Sequence, residues 1–333
     1  MEGKQEQLDE IEAKTSNDFD IKLDSNINLN CLIGQEEAKK ELKSIVHQLK
    51  YKTVYQFWGS CPPRGILLKG PPGVGKSFSI RCLAAEVDAT LLELRYEDIA
   101  TKWVDHQITL LKKFKSIVRE KSKDKFVIIF FDEGDGFFPN RGADGVNESD
   151  RKRVNFFLEW LNGGLQDQTE NVLFITATNF DGLIDPALTR PGRFERVIEL
   201  KKLSKEDIRK ALKVHYSIKE SDTGRILVDH LIIDNIKLPA SMTGAGVKSV
   251  VDISLRLKGE EHTNMLGSIL EEQYLHNKDT GISKLDSDLG VLEGEKEFTP
   301  VNINTENLTK AIEEYEKIEG NKNVTKTKIG FRE

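Results

Sequence analysis

Gly65-Ile66-Leu67-Leu68-Lys69-Gly70-Pro71-Pro72-Gly73-Val74-Gly75-Lys76-Ser77 is the stretch on which the fold turns. Gly65 to Lys69 reads as a short apolar strand and Lys76 to Val87 as a helix. Gly70 to Ser77, between them, fits G-x-x-x-x-G-K-[ST]. Glycines at this spacing let backbone N–H groups turn inward and cradle phosphates, and the helix N-terminus behind them adds partial positive charge. The candidate nucleotide-binding residues are therefore Gly70, Pro71, Pro72, Gly73, Val74, Gly75, Lys76, Ser77 and the adjoining Phe78. Lys76 is expected to reach the β- and γ-phosphates of a nucleotide, and the Ser77 hydroxyl to bind Mg2+.

Working outward, strand and helix signals alternate. Thr90–Leu94, Phe126–Phe131, Asn171–Thr176 and Arg196–Leu200 read as further strands. Helices are expected from Gln35 to about Tyr55, His106 to Lys121 and Asp150 to Leu161. Short strands buried on both faces, alternating with helices, predict an α/β P-loop fold: a parallel five-stranded sheet flanked by helices. The most apolar strand, Phe126–Phe131, runs into Asp132-Glu133. An acid in that place can hold Mg2+ (Asp132), and the next can act as general base on an attacking water (Glu133).

After Leu200 only helices are expected, forming a small helical domain over 201–333. Ser204 reads as N-cap of Lys205–Ile218, with Asp207 at the capping-box position. Thr243–Leu257 and Thr305–Ile318 follow, separated by a polar insertion from Gly259 to Pro300 with one helix at Asn264–His276. Residues 319–333 read as a polar, basic tail, and residues 1–30 as a flexible acidic one ahead of a nucleotide-binding P-loop domain at 31–200.

Composition excludes several classes. The 333 residues are 38% hydrophobic and 31% charged, and the longest apolar run is Phe126–Phe131, so no membrane span is expected. The start, MEGKQEQLDE, carries no apolar leader. Cys31, Cys61 and Cys82 form no CxxC, which fits a reducing, cytoplasmic setting. The net charge is −6, and residues 1–30 hold eight acids and three lysines, leaving the rest near neutral. Nucleic acid is not an expected partner. The basic run Lys112–Lys125 reads as a solvated helix face.

Pro62 to Gly73 and Phe130-Phe131-Asp132-Glu133-Gly134-Asp135 resemble the Walker A and Walker B segments of AAA ATPases. Thr176-Ala177-Thr178-Asn179-Phe180-Asp181 and Leu183 to Arg196 resemble the second region of homology that sets AAA proteins apart from other P-loop ATPases. The resemblance covers roughly 30–258 and 302–318. It implies that Asn179 is the sensor that positions water, and that Arg190 and Arg193 are arginine fingers acting on a neighbouring subunit's nucleotide, hence a homohexamer. It places Ile33-Gly34 by the adenine, His215 near ribose and base, and Gly244-Ala245 at the start of a lid helix on the adenine. Trp103 and Val104 match a pore loop that grips polypeptide, with Asp105 in place of the usual glycine; Phe138–Ser149 would be a second pore loop. Leu161-Asn162-Gly163 resembles the intersubunit signalling turn, with Asn where Asp is commoner, and Gly134 stands where an aliphatic residue is usual.

The implied activity is Mg2+-dependent ATP hydrolysis by a ring that threads, unfolds or disassembles protein substrates. Arg190-Pro191-Gly192-Arg193-Phe194 resembles the branch of proteasomal ATPases, membrane AAA proteases and two-ring segregases. Lys102-Trp103-Val104 and the lid insertion also resemble the branch that disassembles membrane-scission filaments and severs microtubules. No histidine begins a His-Glu-x-x-His zinc motif, so proteolysis would need a separate protease or adaptor as partner. The other reading is an assembly switch that hydrolyses ATP for a partner complex without threading.

Overall fold

In the computed structural model, the described residues are 19–24, 26–99, 104–140, 146–162, 171–179, 184–223, 227–277 and 302–329, with backbone alone at 104–106, 222–223, 262–277 and 321–329. The chain divides into two compact units, Met1–Lys202 and Leu203–Glu333.

The first unit opens with α1 (Glu36–Lys50) and α2 (Lys52–Phe57), then β1 (Gly65–Lys69), α3 (Lys76–Glu86) and β2 (Thr90–Leu94). There follow α4 (Tyr96–Ile99), α5 (Val104–Asp124), β3 (Val127–Phe131), α6 (Gly134–Phe137), α7 (Glu148–Asn162), β4 (Val172–Thr178) and β5 (Arg196–Glu199). The five strands form one sheet in the order β2-β3-β4-β1-β5, and every pairing is parallel. This is the α/β architecture expected from the sequence. The one long helix expected over 35–55 is divided at Tyr51, which leaves helical geometry at φ −114°, ψ 36°.

Strand residues alternate between two cores, as a two-residue side-chain period requires. Ile66, Leu68, Ile128, Phe130 and Ile175 face Leu42, Ile45, Ile80 and Leu83 of α1 and α3. Leu67, Ile129, Phe131 and Phe174 face Phe114, Val118, Phe157 and Trp160 of α5 and α7. The second core is dominated by edge-to-face aromatic pairs, with the Phe131 ring 5.1 Å from Phe157 and Trp160 5.0 Å from Phe174.

Residues 1–18 lie outside the described residues, but the acidic segment does not continue as a tail to residue 30. Phe19–Ile21 adds antiparallel to the exposed edge of β2: Ile21 N–H donates to Leu91 O (2.9 Å) and Glu93 N–H to Phe19 O (3.0 Å). Phe19 packs edge-on to Phe114 at 5.1 Å, and Asp20 pairs with Lys121 at 2.9 Å. An edge strand's unpaired N–H and C=O groups are thereby satisfied.

The second unit holds β6 (Leu203–Ser204), α8 (Lys205–Thr223), α9 (His230–Asn235), β7 (Ser241–Met242), α10 (Gly244–Asn277) and α11 (Thr305–Ile329). Ser204 caps α8 as expected: its Oγ accepts from Asp207 N–H (3.3 Å) and donates to the Asp207 carboxylate (2.6 Å). Two boundaries differ from the sequence reading. The helix expected to stop at Leu257 is continuous through Gly259 to Asn277, so no polar insertion begins at 259; residues 278–301 lie outside the described residues. Polar contacts flank Gly259 where the helix passes it. Arg256 bonds Glu260 and Glu314 at 2.7 Å each, and Glu261 bonds both Lys258 (3.0 Å) and Asn307 (3.1 Å). Likewise α11 runs on through residues read as a tail. Among the described residues no helix is long and apolar enough to cross a membrane.

Candidate nucleotide site

The parallel sheet brings the C-terminal ends of β1, β3 and β4 together, where a crevice for ligands forms in open α/β sheets. The Gly70–Ser77 loop leaves β1, Asp132-Glu133 leaves β3, and Asn179 leaves β4. Gly70 sits at φ +145°, and a Cβ there would lie 2.3 Å from Leu200 O, so only glycine lets the loop turn against the end of β5. Val74 is buried under the loop, while Phe78 stays exposed beyond it.

The Lys76 ammonium donates to Gly70 O (2.7 Å), Pro71 O (3.0 Å) and Asn179 Oδ1 (2.7 Å). Burial lowers its pKa, opposed by the carboxylates of Asp132 and Asp135. Ser77 Oγ lies 3.5 Å from Asp132 Oδ2. A hydroxyl and a carboxylate facing each other beside a lysine suit a divalent cation with oxygen ligands and a polyphosphate. The remaining Asp132 oxygen accepts from Glu133 N–H at 3.1 Å. Glu133 is one of two non-glycine residues with positive φ among those described, at φ 56°, ψ 56°, and its side chain is exposed. Backbone in this sparsely populated region persists only when the surroundings hold it there.

Those surroundings include residues that sequence reasoning missed. A Cβ on Gly134 would meet Thr176 Oγ1 at 2.0 Å, so the departure at Gly134 is matched by a hydroxyl on β4 that fills the missing space. Asp135, visible in the sequence only as a third acid, accepts from Thr178 Oγ1 at 3.3 Å. Gln35 carried no motif signal. It is buried, donates to Lys201 O (2.6 Å) and accepts from Lys201 N–H (3.1 Å), tying the half-buried Ile33-Gly34 segment to the residues after β5.

Arg190 and Arg193 lie on the loop between Leu188 and β5, and they are held differently. Arg193 donates through Nε to Asn162 Oδ1 (2.8 Å) and through Nη1 to Ala187 O. Arg190 is exposed, and its guanidinium has no partner among the described residues. In the second unit, Thr243 Oγ1 caps α10 by accepting from Gly246 N–H (3.1 Å), with Gly244 half-buried and Ala245 exposed just before it. Burial lowers the pKa of His215 on α8, reinforced by Lys248 and Lys219 and opposed by Asp252. Trp103 and Asp105's side chain lie outside the described residues, as do the side chain of Val104, which starts α5, and residues 141–145 of the second expected pore loop.

A glycine loop between a strand and a helix, with a lysine, a hydroxyl and a facing acid pair on the neighbouring strand ends, defines the P-loop nucleoside triphosphatases. Residues 66–202 match the ATPase family associated with various cellular activities (AAA). The chain is 33% identical over 227 residues to the cell division cycle protein 48 homolog of Archaeoglobus fulgidus, covering 68% of this chain and 30% of that protein. It is 32% identical over 222 residues to the proteasome-activating nucleotidase of Aeropyrum pernix (66% and 52%). To the ATP-dependent zinc metalloprotease FtsH of Helicobacter pylori it is 29% identical over 241 residues (71% and 37%). The chain belongs to the AAA family of ATPases and carries a single AAA module. It spans 30%, 52% and 37% of the length of these three relatives.

Proposed function

We propose that this chain hydrolyses ATP with Mg2+ and, as a ring of like subunits, remodels protein substrates by drawing them through its centre. The observation that supports hydrolysis is the meeting of Lys76, Ser77, Asp132, Glu133 and Asn179 at three adjoining strand ends. Lys76 exchanges its loop carbonyls for phosphate oxygens. Ser77 and Asp132 hold the cation, which when bound neutralises charge on those oxygens. Asn179 orients the attacking water, and Glu133 accepts its proton. The family resemblance assigns contacts with base and ribose to Ile33 and Gly34, and likewise to His215, Gly244 and Ala245. Arg190 and Arg193 of a neighbouring subunit stabilise charge on the transferred phosphoryl group. The guanidinium of Arg190, exposed and without a partner among the described residues, supports its reaching outward, and with the family resemblance we infer a homohexamer.

Threading is supported by the resemblance of Trp103-Val104 to a pore loop that grips polypeptide. Two variants test the two halves. Glu133→Gln should bind ATP and hydrolyse it about 100-fold or more slowly, the size of a lost general base. Trp103→Ala should hydrolyse normally while remodelling of a tagged, folded substrate collapses. Unchanged remodelling would favour an ATP-driven switch that threads nothing.

A further inference from the structure

Arg153 of α7 is a charged side chain only 1% exposed, and none of the roles above uses it. Its Nε donates to Phe137 O (2.9 Å), and its Nη2 donates to Gly136 O (2.9 Å) and Asp150 Oδ1 (2.7 Å). The guanidinium carbon lies 4.9 Å from the centre of the Tyr96 ring. Its Nη1 is buried with no hydrogen-bond partner among the described residues. An apolar side chain of similar volume would fill this space without desolvating a charge or stranding a donor, so packing alone does not account for an arginine here.

What Arg153 holds is the turn that begins at Glu133. Gly136 N–H donates to Glu133 O and Phe138 N–H to Gly134 O, both at 2.8 Å, so residues 133–138 form one short helical turn. The carbonyls of Gly136 and Phe137 are its last ones, which have no acceptor role within the turn and favour a cation. The Arg153 partner Asp150 is the chain neighbour of a second set of polar contacts. Asp150 opens α7; beside it Ser149 Oγ donates to Gln107 Oε1 (2.7 Å), and Gln107, 2% exposed on α5, donates to Ile99 O (3.3 Å) at the end of α4. The starts of α5 and α7 are thus linked to the turn that displays Glu133.

We propose that Arg153 is a positioning residue for Glu133, holding the far end of its turn and coupling it to the starts of α5 and α7. The proposal rests on the reading of Glu133 as general base. Arg153→Met leaves Asp150 and two carbonyls without their donor, so its melting temperature should fall, while the folded variant should bind nucleotide with unchanged Kd. Its kcat should fall about tenfold or more, with KM for ATP within about twofold, the signature of an interaction used in the transition state. Arg153→Lys keeps the charge and one carbonyl bond, and should recover part of kcat. In the Glu133→Gln background, Arg153→Met should lower the residual rate no further, because it acts only through Glu133. Wild-type kcat in Arg153→Met overturns the proposal. So does an equal fold-loss with and without Glu133, which would mark a general effect on the fold. If Arg153→Met fails to fold, Arg153→Lys carried through the same cycle decides between the same outcomes. Near-normal hydrolysis by Glu133→Gln alone would instead remove the base assignment beneath it.

Discussion

The glycine loop after β1 and the acid turn after β3 face each other across one site, yet they are built by opposite means. The loop is made mostly of its own backbone: Gly70 at φ +145°, helix α3 beginning at Lys76, and Lys76 folded onto carbonyls of Gly70 and Pro71, with Leu200 O and Asn179 as its contacts from outside. The turn is made by side chains brought from elsewhere. Thr176 of β4 occupies the space over Gly134, Thr178 of β4 bonds Asp135, and Arg153 of α7 holds Gly136 and Phe137. A site element stabilised locally tolerates changes in distant residues, whereas one stabilised from several elements fails when any of them changes.

The sharpest way to break that contrast is at Gly134. Gly134→Ala brings a methyl to 2.0 Å from Thr176 Oγ1 and should destabilise the protein by about 1–3 kcal/mol in denaturant unfolding, as overpacking of a well-filled core does. Turnover should fall with it, since the neighbouring Glu133 backbone must shift. Adding Thr176→Ala removes the offending oxygen, and the double variant should recover most of both. If it is no better than Gly134→Ala alone, Thr176 does not set the identity of residue 134, and the turn is less dependent on β4 than the geometry says.

The same contrast explains what could be read from the sequence. The strands announced themselves as apolar runs because the parallel sheet buries both faces, and the loop was legible because its glycines, lysine and hydroxyl all lie within Gly70–Ser77. Asp132 and Glu133 could be placed because a strand ends at them. Arg153 could not, since a charged residue in an amphipathic helix reads as solvated until the helix is docked. Gln35 was hidden because its partner, Lys201, is far along the chain and is met through backbone. The continuity of α10 from Leu257 into the helix expected at Asn264–His276 was missed for a related reason: the ties of Arg256 and Glu261 are polar and reach Glu314 and Asn307.

The two regions also meet electrostatically, which gives the subtlest expected effect. Burial lowers the pKa of Lys76, and the carboxylates of Asp132 and, second, Asp135 oppose that lowering. Asp132 cannot be altered without touching the cation site, but Asp135→Asn removes one opposing charge and leaves the loop unchanged. With less opposition, Lys76 should lose its proton at a lower pH. A phosphate site needs the charged lysine, so nucleotide affinity is retained below the Lys76 pKa and lost as pH rises through it. At neutral pH both proteins should bind alike. Titrating a fluorescent nucleotide from neutral to about pH 10.5, the ordinary range of lysine, should show the alkaline loss of binding moved to lower pH in Asp135→Asn. Superimposable curves would mean that Asp135 exerts no charge on Lys76, and that within the acid turn only Asp132 acts on the loop.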